Sequence, residues 1–155
     1  MKIAVITVSD RASKGLYRDE SGPAIERILA DFDPSILVER EIVPDGVDSV
    51  ISALGRHHDA DWIITSGGTG PSPRDLTPEA THAYCDRILP GFGEYFRAKS
   101  LGQTPFAVFS RALCGMKGAQ YIVNFPGSVG GAEFHAALLL PLLSHGVAMA
   151  QGKGH

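Results

Sequence analysis

The first half of the chain alternates between continuous apolar runs and apolar stripes with helical spacing. Ile3 to Val8 is an unbroken run rich in β-branched residues, which is typical of a strand covered on both faces. Two further runs predict two more strands: Ile36 to Val43, with Leu37 and Val38 as its apolar centre, and Trp62 to Thr65. Apolar residues between them recur at i, i+3, i+4 and i+7, which predicts two amphipathic helices, the first opened by Pro23. The stripes comprise Ile25, Ile28, Leu29 and Phe32, and then Val47, Val50, Ile51 and Leu54.

The second half predicts helices first and then a pair of short strands. Thr77, a good N-cap, precedes Pro78, and together they predict the start of a helix that runs to about residue 88. The segment 89–93 breaks this helix, and another helix follows it. Leu113–Met116 and Tyr121–Phe125 read as strands joined so closely that they are expected to be antiparallel neighbours, which makes the sheet mixed.

The last apolar region, Ala132 to Ala150, predicts a helix that Pro141 kinks or divides. Its leucines fall on several faces, so we expect heavy burial, against the core or against another subunit. The β-α-β-α-β order of the first half favours a three-layer α/β fold with a mostly parallel, mixed sheet and helices on both faces. At 155 residues the chain is long enough for one such domain with a core, and residues 1–155 are predicted to form a single domain.

Composition and charge exclude several classes of function. The hydrophobic fraction of 44% and the charged fraction of 20% are ordinary for a soluble globular protein, and the net charge of −3 argues against general nucleic-acid binding. No apolar run reaches the roughly 18 residues of a membrane span, and the first residues enter a strand pattern directly, so we expect no membrane segment and no signal peptide. Cys85 and Cys114 have neither metal-ligand spacing nor a disulfide framework, which favours a reducing cytoplasm.

A glycine-rich loop between a predicted strand and a predicted helix carries the clearest chemical signal. The loop contains Ser66, Gly67, Gly68, Thr69, Gly70, Arg74 and Asp75. Free backbone N–H groups in such a loop, together with the following helix N-terminus, attract phosphate, and Arg74 adds a bidentate donor. Asp75 would repel phosphate unless Mg²⁺ lies between the two. The loop lacks the Gly-Lys-Ser/Thr end of a Walker A motif and the spacing of a dinucleotide-binding fingerprint.

Other polar residues follow the predicted strands directly. Ser9 and Asp10 come after the first strand, and Pro44 and Asp45 come after the second. Because α/β sheets bind ligands at the carboxyl ends of their parallel strands, we expect these loops to meet the glycine loop at one edge of the sheet. The alternative for Asp45 is a plain turn aspartate, and the alternative for Asp75 is a brace on nearby N–H groups.

The polar segment between the first strand and the first helix, residues 9–20, is predicted to be a loop. Its cations either steer anionic substrates or are ordinary solvated residues; they are Arg11, Lys14 and Arg18. Its carboxylates Asp19 and Glu20 are expected at the surface.

Residues Thr65–Ala80 closely resemble the signature of the MogA/MoaB family of molybdopterin adenylyltransferases, which is related to the G domain of gephyrin. The other matching stretches are Ser9–Ser13, Pro44–Asp45, Pro90–Glu94, Ser110–Arg111 and Asn124–Ser128. The resemblance covers nearly the whole chain, and its motifs fall in the family's order. It implies the fold of the family's molybdopterin-binding domain. It also implies the family's reaction, in which AMP passes from Mg-ATP to the terminal phosphate of molybdopterin and pyrophosphate is released.

The resemblance also implies roles for individual residues. Asp45 and Asp75 stand at the positions of the family's functional aspartates, and both are expected to position Mg²⁺ and the nucleotide rather than to transfer a proton. The implied substrate- and nucleotide-binding residues are Ser9, Asp10, Gly67, Gly68, Thr69, Gly70, Arg74, Pro126, Gly127 and Ser128. For Ser9, Asp10 and the segment 126–128, simple turn chemistry is the alternative.

The chain departs from the family after Ser128. The family commonly carries a proline and then a basic residue there, whereas this chain has Val129 and Gly130, and the missing cation could weaken pterin or phosphate binding. The alternative function is a non-catalytic molybdopterin-binding module, which would need the glycine loops but not two carboxylates beside an anionic ligand. By the same resemblance we expect a homotrimer, or a hexamer built from trimers, and hand-off of the product to the molybdate-inserting enzyme.

Overall fold

The computed structural model describes residues 1–153, and within this range the strands form one six-stranded mixed sheet. The strands are β1 (Lys2–Val8), β2 (Leu37–Val43), β3 (Trp62–Ser66), β4 (Arg87–Ile88), β5 (Cys114–Lys117) and β6 (Gln120–Phe125). The α-helices are α1 (Asp10–Ser13), α2 (Ser21–Phe32), α3 (Val47–Arg56), α4 (Thr77–Tyr84), α5 (Pro90–Ser100), α6 (Val129–Leu139) and α7 (Leu143–Ala150). Short 3-10 helices span Pro105–Phe109 and Leu140–Leu142. The last two residues of the predicted 1–155 domain lie outside the described range.

The strand order places the carboxyl ends of four parallel strands side by side. The order is β2-β1-β3-β6-β5-β4, and the first four of these strands are parallel. Strand β5 is antiparallel to β6, as predicted, and β4 is antiparallel to β5. The chain leaves β1 on one side to form β2 and returns on the other side to form β3. A topological switch point therefore lies at the carboxyl ends of β1 and β3.

Alternating side chains divide the core into two layers. Ile3 and Val5 of β1 belong to a buried cluster with residues of α2, α5 and α6. Ala4 and Ile6 belong to a second buried cluster, with residues of α3 and α4. Both faces of β1 are therefore dry, which explains its continuous apolar run. The predicted three-layer α/β architecture is confirmed.

Strand β2 is less buried than predicted. It lies at the edge of the sheet, and Leu37, predicted at the apolar centre of the strand, is 68% exposed. Charged side chains occupy its outer positions, and Arg40 pairs with Glu26 of α2 at 2.7 Å. Phe32, at the end of the first predicted stripe, is also half exposed. An edge strand has one neighbour, and charged groups on it oppose pairing with other chains.

Three local predictions are wrong. The segment 9–20 is not all loop, because the Ser9 hydroxyl caps the short helix α1 by accepting a hydrogen bond from the Ala12 N–H. Thr77 is the first residue of α4 rather than its N-cap, since its hydroxyl donates to the Gly67 carbonyl oxygen instead. Helix α4 ends early, the two-residue strand β4 follows it, and Pro90 opens α5 where a break was predicted. Proline suits a first turn because its missing N–H would have no helical partner there.

The apolar C-terminal region divides around Pro141, as predicted. Helix α6 ends at Leu139, a 3-10 turn holds the proline, and α7 begins at Leu143. By length and composition alone, Val129–Ala150 reaches the standard of a membrane span, with a mean hydropathy of 1.2, so the expectation that no segment would do so is wrong on that measure. Within this segment Leu139 and Leu143 are fully buried in the core, while 28% of the apolar window as a whole is buried.

Candidate functional site

A cavity of about 280 Å³ opens at the switch point between β1 and β3. Its walls come from the loops that follow β1, β2 and β3, which were predicted to meet at this edge of the sheet, and from the loop after β6, which the resemblance had implied. The candidate site residues that line it are Ser9, Asp10, Asp45, Gly67, Gly68, Arg74, Asp75 and Gly127. The other four candidates belong to the same loops but lie outside the lining; they are Thr69, Gly70, Pro126 and Ser128.

Two aspartates lock the loops after β1 and β2 together. The Asp10 N–H donates to Asp45 Oδ2 at 2.9 Å, and the Asp45 N–H donates to Asp10 Oδ1 at 3.1 Å. Arg74 Nη1 lies 3.7 Å from Asp10 Oδ2, which brings a cation of the glycine loop to this pair. The exchange occupies one oxygen of each carboxylate. Within residues 1–153, Asp45 Oδ1 accepts no hydrogen bond.

The glycine loop passes so close to its neighbours that only glycine fits at two positions. Gly67 has a φ of 111° and faces the Val8 carbonyl oxygen, and Gly68 has a φ of 66° and faces the Thr77 hydroxyl. A side chain at either position would need left-handed backbone and would overlap these oxygens. The Gly67 N–H donates to the Phe125 carbonyl oxygen at 3.1 Å, so this N–H is committed to the fold. The loop is thereby fixed between β1, β6 and α4.

Three successive N–H groups of the glycine loop remain uncommitted. Within the described residues, the N–H groups of Gly68, Thr69 and Gly70 donate to no protein acceptor. An adjacent run of free backbone donors is typical of anion-binding nests, which hold phosphate in many α/β proteins, so these three groups are a candidate phosphate nest. Gly67, which was also a candidate, commits its N–H to the fold.

Arg111 holds the far side of the glycine loop. Its N–H donates to the Thr69 carbonyl oxygen at 2.9 Å, its Nε to the Gly70 carbonyl oxygen at 2.9 Å, and its Nη2 to the Asp75 carbonyl oxygen at 2.5 Å. Its guanidinium also pairs with Glu79, and the hydrogen bond between them lowers the pKa of Glu79 and raises the pKa of Arg111. In the sequence Arg111 was visible only as part of a resembling stretch, because it lies 36 positions from Asp75 and its partners in the loop are carbonyl oxygens.

The two candidate metal-positioning carboxylates both face the glycine loop. Asp75 Oδ2 accepts from the Ser72 N–H at 3.0 Å, so Asp75 does brace its loop. A Cβ atom placed on Gly70 would lie 2.9 Å from Asp75 Oδ2, and one placed on Gly68 would lie 3.3 Å from Asp45 Oδ1. Among residues 1–153, no group of three or more His, Cys, Asp or Glu side chains is arranged to hold a metal ion. Two carboxylates with one free oxygen each fit Mg²⁺, which commonly takes its other ligands from substrate phosphate and water.

The second glycine loop lies directly against the first. The Ser66 hydroxyl donates to the Pro126 carbonyl oxygen at 3.0 Å, and a Cβ atom on Gly127 would lie 3.2 Å from Gly67 Cα. The Ser128 hydroxyl accepts from the Gly131 N–H and so caps α6. Helix capping therefore accounts for the side chain of Ser128, whereas the close approach of the two glycine loops accounts for glycine at position 127.

A second cavity, also of about 280 Å³, lies on the other side of this loop. Pro126 and Ser128 line it together with the aromatic side chains Phe106 and Phe134 and the imidazole of His135. His135 Nδ1 lies 2.8 Å from the Gly131 carbonyl oxygen, and burial lowers the pKa of this histidine. The lowered pKa favours the neutral imidazole, and the one charged side chain of the lining, Arg97, donates to the carbonyl oxygens of Ser110 and Ala112.

Asp19, which was expected at the surface, is half-buried and lines the first cavity. Its Oδ2 accepts from the Thr7 hydroxyl at 2.9 Å, and its Oδ1 accepts from the Gly22 N–H at 3.1 Å and the Ser21 hydroxyl at 3.2 Å. Asp19 thereby fixes the start of α2 beside the cavity. The signal was present in the sequence, since an aspartate just before a helix start is a common capping residue.

Asn124, which is fully buried, ties the strands beneath the site to α4. Its amide nitrogen donates to the hydroxyl oxygens of Thr65 and Thr81, each at 2.9 Å, and its Oδ1 accepts from the Leu113 N–H at 3.3 Å. The glycine loop runs between β3 and α4, so this amide fixes both of its ends. In the sequence Asn124 was visible only as part of a resembling stretch.

Comparisons with known proteins agree with this geometry. Residues 4–145 match the molybdenum cofactor biosynthesis family described as "Probable molybdopterin binding domain". A molybdopterin adenylyltransferase of Helicobacter pylori is 43% identical over 129 residues, which cover 81% of this chain and 73% of that protein. A solved structure of MogA superposes with a TM-score of 0.91 at 38% identity, covering 97% of this chain and 99% of that one. A structure of the molybdopterin biosynthesis enzyme MoaB from Thermus thermophilus superposes with a TM-score of 0.87 at 36% identity, covering 98% and 97%.

The family match spans most of the chain, and the MogA and MoaB structures share its six-stranded mixed sheet at high TM-scores. The loops that carry the resemblance are the same loops that build the cavity at the switch point. This chain therefore belongs to the molybdenum cofactor biosynthesis family of molybdopterin-binding domains.

Proposed function

We propose that this protein is a molybdopterin adenylyltransferase, which transfers AMP from Mg-ATP to the terminal phosphate of molybdopterin and releases pyrophosphate. One observation carries the proposal: the free N–H groups of Gly68, Thr69 and Gly70 form a phosphate nest that Asp45 and Asp75 flank with carboxylates. A nest alone suits any phosphate ligand. Adding two carboxylates suits a phosphate that arrives with a divalent cation. The relatives named molybdopterin adenylyltransferase support the same reading.

The proposed transfer of AMP requires the two substrates to be positioned and does not require a general base. The nucleophile is a phosphate monoester with a second pKa of about 6, so it is largely dianionic at neutral pH. The main barrier is the approach of two anions, which donors and fixed geometry reduce. When bound, Mg²⁺ would neutralise phosphate charge and organise the polyphosphate. The chain's own part is to hold phosphate oxygens on the nest and to fix the cation with Asp45 and Asp75.

We assign the two substrates to the two cavities that meet at the loop 126–128. The first cavity is lined by Asp45, Asp75 and Gly68 of the nest, which favours the triphosphate. The second has the aromatic walls of Phe106 and Phe134 and a neutral His135, which favours a flat, uncharged pterin. Both cavities are lined by this loop, the first by Gly127 and the second by Pro126 and Ser128, so a terminal phosphate on the pterin would lie close to the nucleotide. The uncharged Val129 and Gly130 leave this shared wall without a cation.

The alternative is a binding module that holds molybdopterin without adenylating it. Asp75→Asn separates the two, because it keeps the side-chain shape while removing the charge that would fix Mg²⁺. We expect this variant to bind molybdopterin within about twofold of wild type, to unfold at the same urea concentration, and to lose at least 100-fold in transfer rate, which is the order of a lost transition-state contact. The matched control Asp31→Asn alters an exposed carboxylate on α2 and should transfer AMP at the wild-type rate. Full transfer by Asp75→Asn would exclude the metal-positioning role.

We further propose that the protein works as a homotrimer, or as a hexamer of trimers, in the cytoplasm, and hands its product to the molybdate-inserting enzyme. An apolar groove of about 770 Å³ supports association. Leu89, Phe92, Tyr95, Leu142 and Met149 line it. Light scattering of the purified protein tests the assembly: a mass of three or six chains is expected, and a monomer at micromolar concentration would contradict it.

A further inference from the structure

The first cavity carries two arginines, and they differ in what holds them. Arg74 lies 3.7 Å from Asp10 Oδ2, so a carboxylate already balances part of its charge. The Arg11 guanidinium instead lies 5.1 Å above the centre of the Tyr17 ring. Within residues 1–153 it has no carboxylate within ion-pair distance, unlike Arg27, Arg40, Arg56 and Arg111. Arg11 is therefore the uncommitted cation of the cavity.

Tyr17 keeps that cation in place. The ring lines the same cavity and is 48% exposed, so packing in the core does not explain its position. A guanidinium over an aromatic face is attracted by the ring quadrupole and keeps its N–H donors free at the edges. A flexible, fully solvated arginine would lose more side-chain freedom on binding a ligand than one held this way.

The position of Arg11 decides which part of a nucleotide it meets. Asp45, Asp75 and Gly68 line the cavity from the loops after β2 and β3, whereas Arg11 lines it as the exposed second residue of α1. The part of ATP that must leave to solvent is pyrophosphate. Val129, which also lines the cavity, is uncharged and supplies no competing cation.

We propose that Arg11, positioned by Tyr17, binds the β- and γ-phosphates of ATP and stabilises pyrophosphate as it leaves. This inference rests on the proposed adenylyl transfer. In that step a terminal phosphate oxygen of molybdopterin forms a bond to the α-phosphorus of ATP, and the bond from that phosphorus to the α,β-bridging oxygen breaks. The electron pair goes to the bridging oxygen, so the negative charge that develops on pyrophosphate lies beside the guanidinium. No proton is transferred, and the total charge of reactants and products is equal.

Product inhibition tests the assignment directly. Arg11→Gln should weaken inhibition by pyrophosphate at least tenfold and raise the KM for ATP, while inhibition by AMP stays within twofold, because AMP lacks the β- and γ-phosphates. Tyr17→Phe keeps the ring and should behave like wild type. Tyr17→Ser removes the ring and should show a weaker form of the Arg11→Gln effect. In the control Lys99→Gln, inhibition by pyrophosphate should stay at the wild-type level. This variant removes a cation that also lies over a tyrosine ring, 5.8 Å from the centre of Tyr95, but lies outside the cavity.

Each result has a definite meaning. If wild type forms the adenylylated pterin and Arg11→Gln keeps wild-type inhibition by pyrophosphate, the assignment of Arg11 is wrong and the proposed function stands. Equal weakening of AMP and pyrophosphate inhibition would also overturn it, since Arg11 would then hold the nucleotide as a whole. If wild type forms no adduct, the proposed function fails and this inference fails with it. Urea unfolding of each variant confirms that the exposed substitutions leave the fold intact.

Discussion

Gly68→Ala is expected to abolish the phosphate nest. Gly118→Ala is the control that separates the cost of left-handed backbone from the cost of steric overlap. Both glycines adopt left-handed backbone, with φ of 66° and 57°. Alanine in that conformation costs roughly 1–2 kcal/mol at either position. The surroundings differ, because a Cβ atom on Gly118 meets nothing within 4 Å, whereas one on Gly68 overlaps the Thr77 hydroxyl and lies 3.3 Å from Asp45 Oδ1. The difference between the two variants therefore measures the overlap alone.

The overlap has a cost that follows from the hydrogen bonds it disturbs. The buried Thr77 hydroxyl donates to the Gly67 carbonyl oxygen at 2.8 Å, and displacing it leaves a buried polar group unpaired, which costs about 1–3 kcal/mol. We expect Gly118→Ala to lower the free energy of unfolding by about 1–2 kcal/mol and Gly68→Ala to lower it by about 2–5 kcal/mol. Transfer of AMP should stay within twofold in the first variant and fall at least 100-fold in the second, since the nest and Asp45 move together.

Two assays check this prediction. Urea unfolding followed by the fluorescence of Trp62, the one tryptophan of the chain and fully buried, gives the stability of each variant. Mass analysis of the pterin gives the transfer rate. If Gly68→Ala transfers AMP as fast as Gly118→Ala, the glycine loop does not hold the phosphates and the reasoning from its geometry is wrong.

Three further predictions concern the second cavity and the buried titratable groups. Phe106→Ser should weaken molybdopterin binding about tenfold without changing the KM for ATP. The control Phe109→Ser, which alters an exposed side chain outside the cavity, should change neither quantity. If Phe106→Ser affected both ligands equally, the assignment of the two substrates to the two cavities would be wrong. Burial lowers the pKa of His135 below its ordinary 6.5, so the unfolded chain takes up that proton first, and the free energy of unfolding should fall as the pH drops below about 6.5. His135→Asn should lack this component in urea titrations at pH 7 and 5.5; an unchanged pH dependence would show that another group causes it. Burial raises the pKa of Cys85 to about 11, and Cys114 is fully buried, so neither thiol should react with a disulfide reagent at pH 8 until the protein unfolds.

Much of the fold was predictable because the spacing of apolar residues along the chain indicates which face of a strand or helix is buried. The continuous run of β1 and the stripe around Val50 and Leu54 predicted the correct layers, and the rule for strand ends placed three loops at one edge. The errors occurred where tertiary contacts override local pattern. Strand β4 has two residues, too few to show a period, and Leu37 sits in an apolar run although an edge strand leaves it exposed.

The residues of the candidate site could also be predicted only in part. Glycines required by left-handed backbone and carboxylates in loops are visible in the sequence, so Gly68, Asp45 and Asp75 could be named in advance. Arg111 could not, because it acts on carbonyl oxygens that any residue carries. Whether a given N–H group is free also depends on distant strands, which is why Gly67 was assigned to the ligand although β6 takes its N–H.

Anaerobic incubation of the purified protein with molybdopterin, ATP and Mg²⁺, followed by mass analysis of the pterin and measurement of pyrophosphate, tests the central claim most directly. We predict one molybdopterin–AMP adduct and one pyrophosphate for each ATP consumed, and neither product when a chelator removes the metal. Tight binding of molybdopterin with no adduct, at any concentration of Mg²⁺, would contradict the claim and identify the protein as a binding module.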